Sequence, residues 1–342
     1  MQIEKENILA AAKKAGISQA SAESLWSILN EKQHSRIDLA SVLTYFGAFI
    51  VLLAMGWFFR TNWDELSGGI IFSIALLYVM VFASIGTFFW SKKKLKIPGG
   101  VFITLAVCLI PLAAYGFQEW MGLWNDVGIH KDFISWIKGG KFFMEISTII
   151  GGCIALTFFR FPLLTLPIFF AMWMMSMDIA PILFTDSENI WHNQLWVSII
   201  FGIGLLMIAF ILDLNFVEDF AFWGYLFGLF AFWTGLSLLE SSTELGRFFY
   251  LLINIGLMLI SFIVQRTIFL IFGGFGVLGY LGSLFYRLFN NSLWFPILIS
   301  LLGVGIILLG ILYNKNRVRV DQFVLGLFPK RVYAWLPKPK KK

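Results

Sequence analysis

Charge is what this sequence has least of. Asp, Glu, Lys and Arg make up 13% of its 342 residues, about half the share found in a soluble globular domain. Cysteine is nearly absent as well. Cys108 and Cys153 are the two in the chain, each inside an apolar run, so a disulfide framework is excluded and each reads as a small buried hydrophobe. The histidines are His34, His130 and His192. None stands at metal-ligand spacing from another His, a Cys or a carboxylate pair, so no metal site is expected. There is no HExxH, no Gly-x-Ser-x-Gly and no Walker-type phosphate loop, and the sequence predicts no catalytic residue, no cofactor and no enzyme. The first 38 residues contain Glu4, Glu6, Lys13 and Lys14 and no apolar h-region, so no cleavable signal peptide is expected.

What fills the chain instead is apolar side chain, at 59% and with a mean hydropathy of +0.81. It falls in blocks of roughly 17 to 22 residues, the length that about 30 Å of hydrocarbon demands of a helix. The fold class predicted is all-α, a polytopic membrane protein of about ten transmembrane helices. The spans expected are 39–59, 70–90, 100–118, 146–160, 163–184, 195–212, 220–239, 248–264, 268–289 and 293–313. Only Arg160, Phe161 and Pro162 separate the fourth from the fifth, which admits either a tight hairpin or a re-entrant pair. Pro111 and Pro167 fall inside spans and are expected to kink them.

Lys and Arg set the orientation, because basic loops stay in the cytoplasm during insertion. With the N-terminus inside, 20 of the 26 basic residues are inside, and the outside loops hold Arg60, Lys131, Lys138, Lys141, Arg247 and Arg287. Both ends are therefore expected in the cytoplasm, in the inner membrane. Residues 1–38 read as a cytoplasmic helical hairpin. It breaks at Gly16, with Ile8, Ala11, Ala12 and Ala15 on one face before it and Ala22, Leu25, Trp26 and Leu29 on one face after a cap at Ser18 or Ser21. Residues 39–313 form the bundle, and 314–342 a basic amphipathic tail with Val320, Phe323, Val324 and Leu327 on one face. Lys92, Lys93 and Lys94 in the second loop, and Lys338 and Lys340 in the tail, are expected to anchor on anionic lipid, each basic residue contributing about 1 kcal/mol. The lipid bilayer is thus the expected partner, and the net charge of +6 calls for no nucleic acid. A homo-oligomer is compatible with the pattern.

After the first span come Arg60, Thr61, Asn62, Trp63, Asp64, Glu65 and Leu66. Asn62 or Asp64 suits the cap of the next helix, and Trp63 the interfacial aromatic belt. A Gly-rich first span, the Asn62-Trp63-Asp64-x-Leu66 sequence and the head reading Ala15-Gly16-Ile17-Ser18 resemble a bacterial family of predicted membrane proteins, domain of unknown function 2157. The resemblance covers roughly residues 9–120. It implies a multi-span inner-membrane protein and no assigned activity.

Polar groups at membrane depth are the remaining signal, since a charge there is costly unless paired or solvated. Asp178 is the first candidate: a solvated end residue if its helix stops near Met177, a buried carboxylate if it continues to Phe184. Asn254 and Gln265 complete the candidate intramembrane polar site. Glu119 and Glu240 read as interfacial. Asp213, Glu218 and Asp219 form an acidic inside loop that either caps a turn or pairs with the basic head or tail. Gly273, Gly274, Gly276, Gly279 and Gly282 pave the ninth span, for close helix packing or for a solute path. Two functions follow. A transporter or permease for a small solute would gather Asp178, Asn254, Gln265 or Tyr115 and Tyr225 around one cavity; a non-catalytic scaffold or sensor, binding partners through head and tail, would scatter them.

Overall fold

The computed structural model describes residues 12, 16, 18, 21–22, 39–61, 65–123, 141–184, 189–216, 218–239, 243–289, 297, 300–301 and 303–304. Among them every regular element is helical. In chain order these are α1 Leu39–Thr61, α2 Gly68–Thr87, α3 Lys96–Trp120, α4 Lys141–Phe158, α5 Thr165–Leu183, α6 Ile190–Asn215, α7 Phe222–Leu238, α8 Glu244–Val264 and α9 Thr267–Phe289. A π-helical turn, Phe88–Lys92, extends α2, and a 3-10 turn, Pro162–Leu164, leads into α5. Eight of these helices are long and apolar enough to cross a membrane, and α7 is a shorter apolar helix. The first nine expected spans thus each have their helix. The tenth, 293–313, and the tail with Lys338 and Lys340 fall almost wholly outside the described residues.

The chain divides into two units, Met1–Thr61 and Asn62–Lys342. In the first, Gly16 takes φ +72°, a left-handed conformation that glycine adopts without a Cβ clash. The Ser21 amide donates to Ser18 Oγ at 3.3 Å and the Ala22 amide to the Ser18 carbonyl at 3.0 Å, so Ser18 is the cap. Ala12 and Ala22, from the two expected apolar faces, are both buried.

In the second unit α2 and α3 run antiparallel with their backbones nearly touching. A Cβ on Gly116 would lie 2.5 Å from the Phe72 amide nitrogen, the close approach that small residues permit between membrane helices. This contact fixes where α2 begins: Ser67 takes the extended N-cap position and its carbonyl accepts from Ile70 and Ile71. The cap is therefore Ser67 and not Asn62 or Asp64, whose own placement lies outside the described residues. Leu66 is half-buried beside it.

Arg160, Phe161 and Pro162 make a tight turn between two helices that are each long and apolar enough to cross a membrane. Phe161 packs its ring over Gly100, where a Cβ would lie 2.4 Å away, and Trp90 meets Phe159 and Phe161 edge-on. The α2–α3 turn therefore lies beside the α4–α5 turn. Pro111 sits within continuous α3. Pro167 is in the first turn of α5, where the missing N–H has no helical partner to lose, so no internal kink is required there.

The exposed large hydrophobics run along the helix flanks, from Ile70 and Leu77 to Ile271 and Phe275. Such an outward apolar surface suits lipid rather than water as the surrounding solvent. Cys153 belongs to it: the residue is exposed, contrary to its reading as buried, while Cys108 is half-buried.

Candidate solute cavity and polar sites of the bundle

Three polar clusters stand out in the second unit. The tightest joins the last turn of α6 and the loop after it to the α8–α9 turn. Arg266, between α8 and α9, donates from Nη2 to Asp213 Oδ1 at 2.7 Å and from Nε to Asp213 Oδ2 at 3.2 Å. It also donates to both oxygens of Asp219, at 2.9 and 2.8 Å. The Tyr225 hydroxyl donates to Asp213 Oδ2 at 3.3 Å, and the guanidinium lies 5.7 Å from the Tyr225 ring centre. Burial works against the charge on Arg266, but hydrogen bonds to Asp219 and Asp213 outweigh it and hold its pKa above the ordinary value. Asp213 is 4% exposed and depends on this cation. Beneath the clamp lies an apolar core of Ala209, Ala221, Leu229, Leu257, Val264 and Phe269. Asp213 and Asp219 thus have a partner in the α8–α9 turn, beside the two readings the sequence offered, a capped turn or pairing with the basic head or tail.

The second cluster is a carboxyl pair. Helix α5 continues to Leu183, past Pro181, so Asp178 is not a helix-end residue. Asp178 is half-buried and its carboxyl interacts with that of Glu145, on α4, the positive charge of Lys141 acting on both. Glu145 is 7% exposed and its Oε2 is buried without a hydrogen-bond partner. The sequence had put Glu145 in a loop before the fourth span. Helix α4 instead begins at Lys141, and the i, i+4 spacing stacks Lys141 over Glu145.

The third is a cavity of about 770 Å³ among α7, α8 and α9, open along the exposed flank where Phe249 and Phe275 stand, and within the usual size of small-molecule sites, roughly 300–1,000 Å³. Trp233, Phe249, Tyr250, Phe275 and Tyr280 supply aromatic wall, and Ser237, Arg247 and Ser283 supply polar groups. The hydroxyls of Ser237 and Tyr250 are 2.9 Å apart and hydrogen-bonded. Trp233 Nε1 is buried with no acceptor. At the rim, Glu244 Oε1 accepts from both Arg247 and Arg287. Thr243 caps α8, accepting from the Gly246 amide at 3.2 Å, and that cap sets Arg247 one turn in.

Asn254, Asp178 and Gln265 do not meet. Asn254 is fully buried on α8, donates from Nδ2 to the Tyr250 carbonyl at 2.8 Å and packs over Gly276. Gln265 ends α8 as an exposed left-handed residue, φ +56°, beside the Arg266 clamp. Asp178 lies near the opposite end of its helix hairpin. Tyr225 belongs to the clamp. Of the α9 glycines, Gly273 and Gly276 admit Asn254 and Met258, Gly279 lines the cavity, and Gly274 and Gly282 have open space about them. Outside the clusters, His192 Nε2 accepts from Trp196 Nε1 at 3.2 Å, one turn along an exposed face. Lys92, Lys93 and Lys94 are exposed in the α2–α3 turn.

Residues 12–118 match the family described as predicted membrane protein (DUF2157). That stretch includes α1, α2 and nearly all of α3, together with the Asn62–Leu66 motif. It stops short of the carboxyl pair, the clamp and the cavity, so the match bears on membrane insertion and not on those sites. No curated protein and no solved structure matches the chain.

Proposed function

We propose that this chain is a permease for a small solute in the inner membrane, with ten spans and both ends in the cytoplasm, rather than an enzyme. The observation that carries the reading is the cavity among α7, α8 and α9: a packed anchor has no use for aromatic walls, hydroxyls and a guanidinium gathered around about 770 Å³ of space. The Glu145–Asp178 pair adds a place to hold a proton or cation between two helices, because two carboxyls in contact repel when both are bare.

The same orientation sets the Lys92–Lys94 turn, Arg160 and Arg266 on the cytoplasmic side, where anionic lipid is the partner. No cofactor and no nucleic acid enter this reading, and a second copy of the chain is compatible with it.

Single cysteines at Ser237 and Ser283, in a Cys108→Ser, Cys153→Ser background, test it. Both should react with a membrane-impermeant thiol reagent from one side of the membrane. A cysteine replacing buried Ala209 should not. Unreactive cysteines at both cavity positions, from either side, would leave a sealed bundle and end the permease reading.

A further inference from the structure

We infer that the cavity among α7, α8 and α9 takes small organic anions, the carboxylate held by Arg247 and an apolar body lying against the aromatic wall; the inference deepens the permease reading and rests on it for the direction of movement. Charge is the first argument. Two guanidiniums, Arg247 and Arg287, share one carboxylate oxygen of Glu244, so among the described residues the rim carries one positive charge more than negative. Arg247 lines the cavity and spends one of its five N–H groups on Glu244.

Hydrogen-bond balance is the second argument. Arg247 keeps N–H groups beyond the one given to Glu244. The Ser237–Tyr250 hydrogen bond uses one hydroxyl proton of two, leaving the other to donate. Ser283 spends its proton on the Tyr280 carbonyl at 2.8 Å. Among the described residues that line it, the cavity presents these donors and no carboxylate. An occupant that satisfies it brings acceptors and negative charge. The wall fixes the rest of the occupant, since Trp233, Phe249, Tyr250 and Phe275 offer rings and no further charge.

The test uses the full chain in nanodiscs of zwitterionic lipid. Radiolabelled benzoate is displaced by phenylacetate, hexanoate, benzyl alcohol and benzylamine in turn. The three carboxylates should bind, and the neutral alcohol and the amine should compete at least about tenfold less well, the usual weight of a charge-assisted hydrogen bond. Arg247→Gln should lose about the same factor for the carboxylates and little for the alcohol, and Arg247→Lys should recover part of it. Tyr250→Phe, which keeps the ring and removes one hydroxyl of the Ser237–Tyr250 pair, should weaken benzoate a few-fold.

Equal competition by alcohol and carboxylate, or no benzoate binding, overturns the inference, and the charge series reads this on the native protein even if Arg247→Gln fails to fold. The two readings fail separately. Benzoate that binds in nanodiscs but is not exchanged across proteoliposomes sinks the permease reading and leaves the anion site. Exchange of neutral solutes with no competition by carboxylates sinks the anion site and leaves the permease.

Discussion

A methyl group on Gly276 would lie 1.8 Å from Asn254 Oδ1, so the buried amide of α8 occupies the space where α9 lacks a side chain. Asn254 is short, fully enclosed and tied to the Tyr250 carbonyl, and it has nowhere to retreat. Gly276→Ala should therefore lower stability by about 1–3 kcal/mol, the usual effect of overpacking. Gly274, two residues earlier, has nothing within 4 Å of a built Cβ. Gly274→Ala should leave the unfolding temperature in detergent unchanged or slightly raised. Equal losses at the two positions would contradict the packing described.

The Arg266 clamp predicts an asymmetry between its two acids. Arg266→Ala strands Asp213, whose side chain is 1% exposed, and should destabilise by about 3–5 kcal/mol, as does breaking a buried ion pair from one side. Asp219 is 44% exposed, and Asp219→Asn should change stability by no more than about 1 kcal/mol. Thermal unfolding of the two variants side by side decides it.

The carboxyl pair predicts that losing one acid is tolerated structurally. Asp178→Asn keeps the shape and gives Glu145 an N–H donor in place of a like-charged neighbour, so stability should hold or rise by up to about 1 kcal/mol. The double variant with Glu145→Gln should depart from additivity by about 0.5–3 kcal/mol, since the two groups touch. Strict additivity in unfolding experiments would mean that the carboxyls act independently.

The sequence carried the helices because the length of an apolar block is a direct physical requirement of the bilayer, and each of α1 to α9 falls on one of those blocks, although α4 and α6 start about five residues earlier. It carried Asp178 for the same reason, as a charge out of place. It did not carry Glu145, because Lys141 and Glu145 read as loop residues until α4 is seen to begin at Lys141. The Arg266–Asp213 pair spans 53 positions, and no local pattern announces a contact of that range. The cavity was invisible for another reason: Trp233, Tyr250 and Phe275 are ordinary span residues one by one, and only the packing of three helices leaves a gap between them. The stripe of glycines on α9 could not say which glycine admits a neighbouring side chain and which stands in open space.

The cysteines give a direct check on membrane embedding. Cys153 lies exposed on α4 and Cys108 half-buried on α3, both well inside apolar helices. Neither should react with a membrane-impermeant maleimide in intact membranes, and both should react once the protein is unfolded in detergent. Labelling of Cys153 in intact membranes would show water along that face of α4.

The clamp and the cavity sit at different places along the same hairpin. Arg266, at the turn between α8 and α9, grips Asp213 at the end of α6 and Asp219 just beyond it, whereas Gly246, near the start of α8, and Ser283, near the end of α9, line the hollow. The two helices are therefore clasped at their turn, and their other ends face the hollow and are bridged there by Glu244.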